Sequence, residues 1–252
     1  MAVDEPPPVN VLNPRAPSPF LLLGDHAGNR IPRLLADLGL DEKERTRHIA
    51  VDIGIGALGT ALSSRLDATF IHQTYSRLVI DCNRRPGAPD SIPAVSDGTA
   101  VPANSGLDQA GAAARAAAIH APYQAAIGSD IERRLAAGQQ TILIALHSFT
   151  PSMRGFDRPW QVGILHDAGD SRFARAMLAF FDRDAELTAG DNEPYSMDTI
   201  DYTIPFHAYE RRLPYAEIEV RQDLLADADG VAAWCDRIEQ ALRYALVEYP
   251  TL

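Results

Sequence analysis

Two histidines in this chain end apolar runs: His26 in LLLGDHAGN and His147 in TILIALHSFTP. Each is followed by small residues, Ala27-Gly28 or Ser148, that let something approach the backbone. Two neutral imidazoles meeting at a sheet edge suit zinc, which favours nitrogen donors and tetrahedral geometry. Capping a turn is the competing role for either one alone; two in equivalent positions put the metal role level with it. A catalytic zinc needs a third protein ligand and one open position. Asp25, Asn29, Asp52 and Asp81 are the candidates, and a carboxylate suits a divalent ion better than the Asn29 amide. Asp52, in HIAVDIGIG, precedes a glycine-rich turn that opens a helix, so its competing role is a helix cap.

Other residues have the chemistry to act beside such an ion. AEIEVRQDL places Glu217, Glu219 and Arg221 on one face of a strand, with Ile218 and Val220 on the other. Inside a sheet, Glu219 becomes a carboxylate in a partly apolar site, fit to act as general base on a metal-bound water, with Arg221 alongside as a substrate contact. On an edge strand the same pattern is a solvated charged face. SRLVIDCNRRP holds Arg77, Asp81, Asn83, Arg84 and Arg85. Guanidinium matches carboxylate with two parallel hydrogen bonds, so these arginines form an anion clamp unless local acids pair them at the surface. The polar segment DNEPYSMDTIDYTIPFHAYERRLP has the length of a functional loop, and its Tyr195 and His207 are either substrate contacts or plain loop residues.

The elements that must position these residues alternate. Strands are expected at Phe20–Leu23 and in ATFIHQTYS, RLVIDCN, QTILIALHS, QVGILHD and AEIEVRQD. Helices are expected in IPRLLADLGLDEKERTRHIA, GALGTALSSRL, DSRFARAMLAFFDRD and GVAAWCDRIEQALRYAL. A long Ala-rich helix covers about Asp108 to Ala137, with a break or first turn at Pro122. This order predicts an α/β protein of three layers, a mixed and mostly parallel sheet with helices on both faces. In such sheets functional groups gather beyond the carboxyl ends of the strands, where His26, Asp81, His147 and Asp167 are expected. Residues 1–19 are Pro-rich and read as an extended, partly mobile lead-in; residues 20–252 read as a single domain.

Composition narrows the partners. The 23 basic and 34 acidic residues give a net charge of -11, which argues against a general nucleic-acid binder. Cys82 and Cys235 are too few for a disulfide framework and read as buried thiols. There is no membrane-span-length apolar run and no hydrophobic signal core, so a cytoplasmic location is expected.

The order HAG…IP, VDIG, SR…IDCNR, HSFTP, NEPY, IEVRQDL resembles the N-formylglutamate amidohydrolase family from about residue 20 to 225. That family is similar in fold to the zinc carboxypeptidases and the aspartoacylase-type deacylases, a zinc-exopeptidase-like, phosphorylase/hydrolase-like architecture. The resemblance implies zinc, with cobalt or manganese as alternatives, held by His26, Asp52 and His147. It implies that Arg77 polarises the scissile carbonyl and that Asn83 with Arg84 grips the substrate carboxylate. Glu219 would take a proton from the metal-bound water and deliver it to the leaving amine. The His-x-x-Glu of the carboxypeptidases is replaced here by His26-Ala27-Gly28-Asn29, and Asp52 stands in for the missing acid. GDHAG also departs from the Pro-His-Ser/Ala-Gly of the histidine-degrading enzymes, which leaves the acyl amino acid open.

The function implied is metal-dependent hydrolysis of an N-formyl or N-acyl amino acid, N-formyl-L-glutamate foremost, to formate and glutamate. The alternatives are a zinc carboxypeptidase or amidase acting on another acyl or peptide substrate, and a non-catalytic small-molecule binding protein on the same scaffold. Either way the partner is a small molecule rather than nucleic acid or membrane, and self-association into a homo-oligomer is open.

Overall fold

In the computed structural model, which describes residues 4–197 and 201–249, eleven strands and six α-helices alternate as expected. The first and last three residues, and residues 198–200 of the polar loop, lie outside the described residues. The seven-stranded sheet runs β1 (Val9–Leu12), β3 (Thr69–Gln73), β2 (Phe20–Gly24), β6 (Ile142–Phe149), β11 (Tyr215–Arg221), β9 (Val162–Leu165), β10 (Ala189–Asp191). Strands β3, β2, β6 and β11 are parallel, as are β9 and β10, while β1 and β9 pair antiparallel to their neighbours β3 and β11. Two short hairpins, β4–β5 (Val95–Ser96, Thr99–Ala100) and β7–β8 (Ser152–Met153, Phe156–Asp157), stand apart.

The pleat sorts side chains into two cores. Leu22, Ile142, Ile144, Leu146, Ala216, Ile218 and Val220 face α2 (Ile55–Leu66), α5 (Arg172–Phe181) and α6 (Ala228–Glu248). Leu21, Leu23, Leu143, Ala145 and Tyr215 face α4 (Ala121–Ala136) and the loops around it. The remaining helices, α1 (Glu42–Arg45) and α3 (Gln109–Arg115), are short. Central strands buried on both faces explain why their sequences run apolar without alternation. Cys82 and Cys235 are free and buried.

Several expectations need correction. RLVIDCN is not a strand: Leu78, Val79 and Ile80 pass through turns and bury themselves against the second core. Strand β3 has already stopped, because the Gln73 side-chain oxygen accepts from the Thr74 and Tyr75 backbone N–H groups. Asp81 therefore ends no strand, and His147 lies inside β6 rather than beyond it. The lead-in is extended but also structural, since Val9–Leu12 pairs with β3 at the sheet edge. At Pro122 the Ala-rich helix does not break. Instead a π turn over Ala116–His120 leads into α4, and Pro122 takes the other expected place, the first turn of that helix, where its missing N–H is tolerated. No helix among the described residues is long and apolar enough to cross a membrane.

Candidate active site

Parallel pairing of β6 with β11 sets His147 directly beside Glu219, and Ala145 beside Glu217. All four point away from the helix-packed face that holds Ile218 and Val220. Opposite Glu219 on β9 stands Gly163, whose missing side chain leaves room for the Glu193 carbonyl to approach. His26 arrives from the turn after β2. That turn packs tightly, because a side chain at Gly28 would collide with the Gln73 and Thr74 carbonyls. Asp52 is tied to the same turn by its backbone N–H, which donates to the His26 carbonyl at 3.0 Å. Gly54, at φ 83°, then opens α2 in a conformation that few other residues adopt. Asp52 does not cap that helix; its carboxylate turns to the histidines instead.

Three donor groups converge. His147 Nδ1 lies 2.9 Å and His26 Nδ1 3.4 Å from Asp52 Oδ2. Each imidazole turns its other nitrogen to a second buried carboxylate. His26 Nε2 donates to Asp81 Oδ1 at 2.7 Å, and His147 Nε2 faces Asp25 Oδ2 at 3.4 Å. Asp25 is held in turn by the Thr203 hydroxyl at 2.7 Å. Carboxylates behind histidines in this way fix ring orientation and raise ligand basicity.

The donor set fits a divalent ion on structural grounds. His26, Asp52 and His147 offer ligand atoms that all lie within 4.8 Å of one another. His26 Nδ1, the nitrogen that faces Asp52, is buried without a hydrogen bond. Two donors about 2.1 Å from one tetrahedral ion stand roughly 3.4 Å apart, the spacing of His26 Nδ1 from Asp52.

Ionisation follows from this crowding. Burial pushes His26 down, as does Arg77, but Asp81 and Asp52 outweigh both and raise it. Burial opposes the charged form of His147 too, yet Glu217, Asp25 and Asp52 hold it well above its usual value. Asp81 and Asp52 are buried but sit well below the carboxylate range, Asp81 through Arg77 and His26, Asp52 through His26 and His147. Burial raises Glu219 to about 7 against the pull of His147, with Asp52 adding to the rise. Glu217 is pushed well above its usual value by burial and by Asp201.

Two expectations follow. The raised histidines favour the protonated form, so in the metal-free protein they add stability below about pH 6.5 that is lost as pH rises through their folded values. An ion needs their lone pairs, so its binding releases protons and its apparent affinity climbs with pH. Calorimetric zinc titrations in buffers of different ionisation enthalpy measure that release; no proton release would separate the histidines from the metal. Asp81→Asn is expected to weaken zinc binding about 10–100-fold, read by chelator competition.

The cleft, about 250 Å³, is lined by His26, Asp52, Arg77, Asn83, Arg84, His147, Tyr195 and Glu219 among others. That is just below the usual range for drug-sized ligands and suits a small one. Arg77 gives Nε and Nη2 to Asp81 Oδ2, at 3.1 and 2.8 Å, and Nη1 to Asp52 Oδ1 at 3.2 Å. Arg84 is held by Asp90 at 2.8 Å and Asp201 at 3.1 Å. Most of the Asn83 amide is engaged with the 201–203 loop: its oxygen accepts from Tyr202 and Thr203 N–H, and its nitrogen donates to Asp201.

Two predicted contacts are not brought here. His207 does not line the cleft: it is buried with its Nε2 donating to the Gln124 side-chain oxygen at 2.8 Å, because its segment folds into a π turn that packs on α4. Arg221 lies past the end of the cleft and pairs with Asp223 at 2.8 Å. Glu217, Asp25 and Asp81 matter more to the site than their sequence contexts indicate. For Glu217 the signal was present in the alternation of β11.

The sequence pattern of the N-formylglutamate amidohydrolase family matches residues 18–226. Among solved structures, a gene product from Agrobacterium tumefaciens is 36% identical with a TM-score of 0.94, over 97% of this chain and 97% of that one. The N-formylglutamate amidohydrolase of Ralstonia eutropha is 20% identical with a TM-score of 0.71, over 97% of this chain and 99% of that one. At that identity the second likeness concerns the fold. No curated protein matches the sequence.

Proposed function

The chain belongs to the N-formylglutamate amidohydrolase family and is a hydrolase acting on amides, and from that premise we propose that it cleaves an N-formyl amino acid, N-formyl-L-glutamate foremost, to formate and the free amino acid. The observation that carries this reading is the convergence of His26, Asp52 and His147 beside Glu219. His26, Asp52 and His147 would hold a divalent ion, with zinc the best match to two nitrogens and one oxygen. Such an ion supplies Lewis acidity, polarising a carbonyl oxygen and making hydroxide available near neutral pH.

The chain's own groups do the rest. Glu219 Oε2 is buried without a partner and the residue lines the cleft. With its pKa near 7 it accepts a proton from the attacking water and returns it to the departing amine nitrogen. Arg77 has three of its five N–H donors engaged by Asp52 and Asp81. The others remain for the oxyanion that develops on the formyl carbon. Arg84 makes no hydrogen bond through Nη2 among the described residues, so that nitrogen can receive a substrate carboxylate.

The test is formate release from N-formyl-L-glutamate by protein supplied with zinc, cobalt or manganese, paired with metal analysis. Stoichiometric metal and formate release support the reading. Metal without formate release would move the substrate to another N-acyl amino acid. Neither metal nor activity would leave a binding protein on this scaffold.

A further inference from the structure

Three arginine side chains among the described residues are buried: Arg115, Arg134 and Arg158. Two of them are well satisfied. Arg134 meets the Asp130 carboxylate at 2.7 Å and the Ser18 carbonyl at 2.9 Å. Arg115 donates to the Val79 and Ala103 carbonyls and to Asn104 Oδ1. Arg158 is different. At 8% exposure it has no carboxylate within ion-pair reach among the described residues. Its Nη1 donates to the Thr150 carbonyl at 3.2 Å and the Tyr195 hydroxyl at 3.1 Å; its Nη2 meets only the Met153 sulfur, at 3.2 Å. Among the described residues Nε makes no hydrogen bond. The Nε–Nη2 edge, which takes a carboxylate side-on, is thus almost unfilled.

The surroundings say where an anion would come from. Arg158 Cζ lies 5.7 Å from the Phe149 ring centroid and 4.8 Å from that of Tyr195. Phe149, Thr150 and Tyr195 all line the cleft that contains Glu219 and His147, so the guanidinium sits directly behind the cleft wall. Its cover, Tyr195, is 40% exposed. The arginines on the wall itself are already paired, Arg77 with Asp52 and Asp81, Arg84 with Asp90 and Asp201. A buried charge without a partner is costly, and the cost is offset when a ligand brings the opposite charge.

We propose that Arg158 receives the side-chain carboxylate of the substrate, reached when Tyr195 turns off the guanidinium, and so selects acidic amino acids over their neutral isosteres. The inference rests on the amidohydrolase reading for the class of ligand but requires no turnover. Its test is calorimetric binding of L-glutamate and L-glutamine, which differ only in that carboxylate, to the zinc-supplied protein. Wild type is expected to prefer glutamate by about 10–100-fold, the worth of a charge-assisted contact. Arg158→Gln is expected to bring the two within a few-fold while leaving glutamine binding intact. Arg158→Lys, which keeps charge but not the two-donor edge, should retain part of the preference; it also serves if the glutamine variant fails to fold.

No glutamate preference in wild type, or a preference that survives in a folded Arg158→Gln protein, would overturn the proposal. Formate assays on N-formyl-L-glutamate and N-formyl-L-glutamine keep the two readings apart. If wild type hydrolyses both and Arg158→Gln slows both equally, the reaction stands and the subsite falls. If neither is hydrolysed but the binding preference depends on Arg158, the subsite stands and the reaction falls.

Discussion

Glu219→Gln is expected to lower kcat by about 10²–10⁴-fold, the usual contribution of a positioned general base, with metal content unchanged. Glutamine keeps the shape of the side chain but cannot take a proton, and Glu219 is not among the converging ligand atoms. Steady-state kinetics alongside metal analysis check both halves. Near-normal turnover would remove Glu219 from the proton path. The same substitution should raise the thermal midpoint of the metal-free protein at neutral and higher pH. A carboxyl whose folded pKa rises from 4.5 to about 7 costs stability as pH climbs through that interval, and the full cost is present above it. Glutamine never ionises, so it escapes that cost. A gain in stability joined to a loss of turnover is the signature of a group held in an unfavourable environment for its chemistry.

The second large effect concerns Arg77. Its guanidinium joins Asp52 and Asp81, which are 2% and 4% exposed, so Arg77→Met leaves two buried carboxylates short of a cation they share. Removing one partner from a buried ion pair costs roughly 3–5 kcal/mol, and the partial exposure of Arg77 places this case near the lower end, about 3 kcal/mol. Denaturant titration should show the loss in full in chelator-treated protein. With zinc present it should be smaller, because a divalent ion at Asp52 supplies some of the missing positive charge. Equal losses in the two conditions would mean that metal and arginine do not share these carboxylates.

The local sequence carried a good deal of this. The strands β2, β3, β6, β9 and β11 and the helices α2, α5 and α6 follow from runs and periods that report burial directly. Alternation along β11 separates Glu217 and Glu219 from Ile218 and Val220 whatever the neighbours are. The order of motifs was sufficient for the family, whose pattern spans residues 18–226. Elsewhere tertiary contacts override the local pattern. LVI at 78–80 is as apolar as any strand, but Gln73 terminates β3 and the run packs as turns. His207 looks like a loop residue, yet packing on α4 removes it from the cleft.

The sequence by itself determined which residue types were available: two histidines after apolar runs, acids at alternate positions, arginines in a cluster. It did so because hydrophobic period and side-chain chemistry are local properties. Only the tertiary structure decided which of them meet. The parallel register of β6 and β11 put His147 against Glu219, and the His26–Asp52 backbone contact closed the ligand set. Among the described residues it also left Arg158 without a carboxylate while supplying two each to Arg77 and Arg84. Pairing of charges depends on distances of a few ångströms between residues far apart in the chain, and no local pattern encodes those distances.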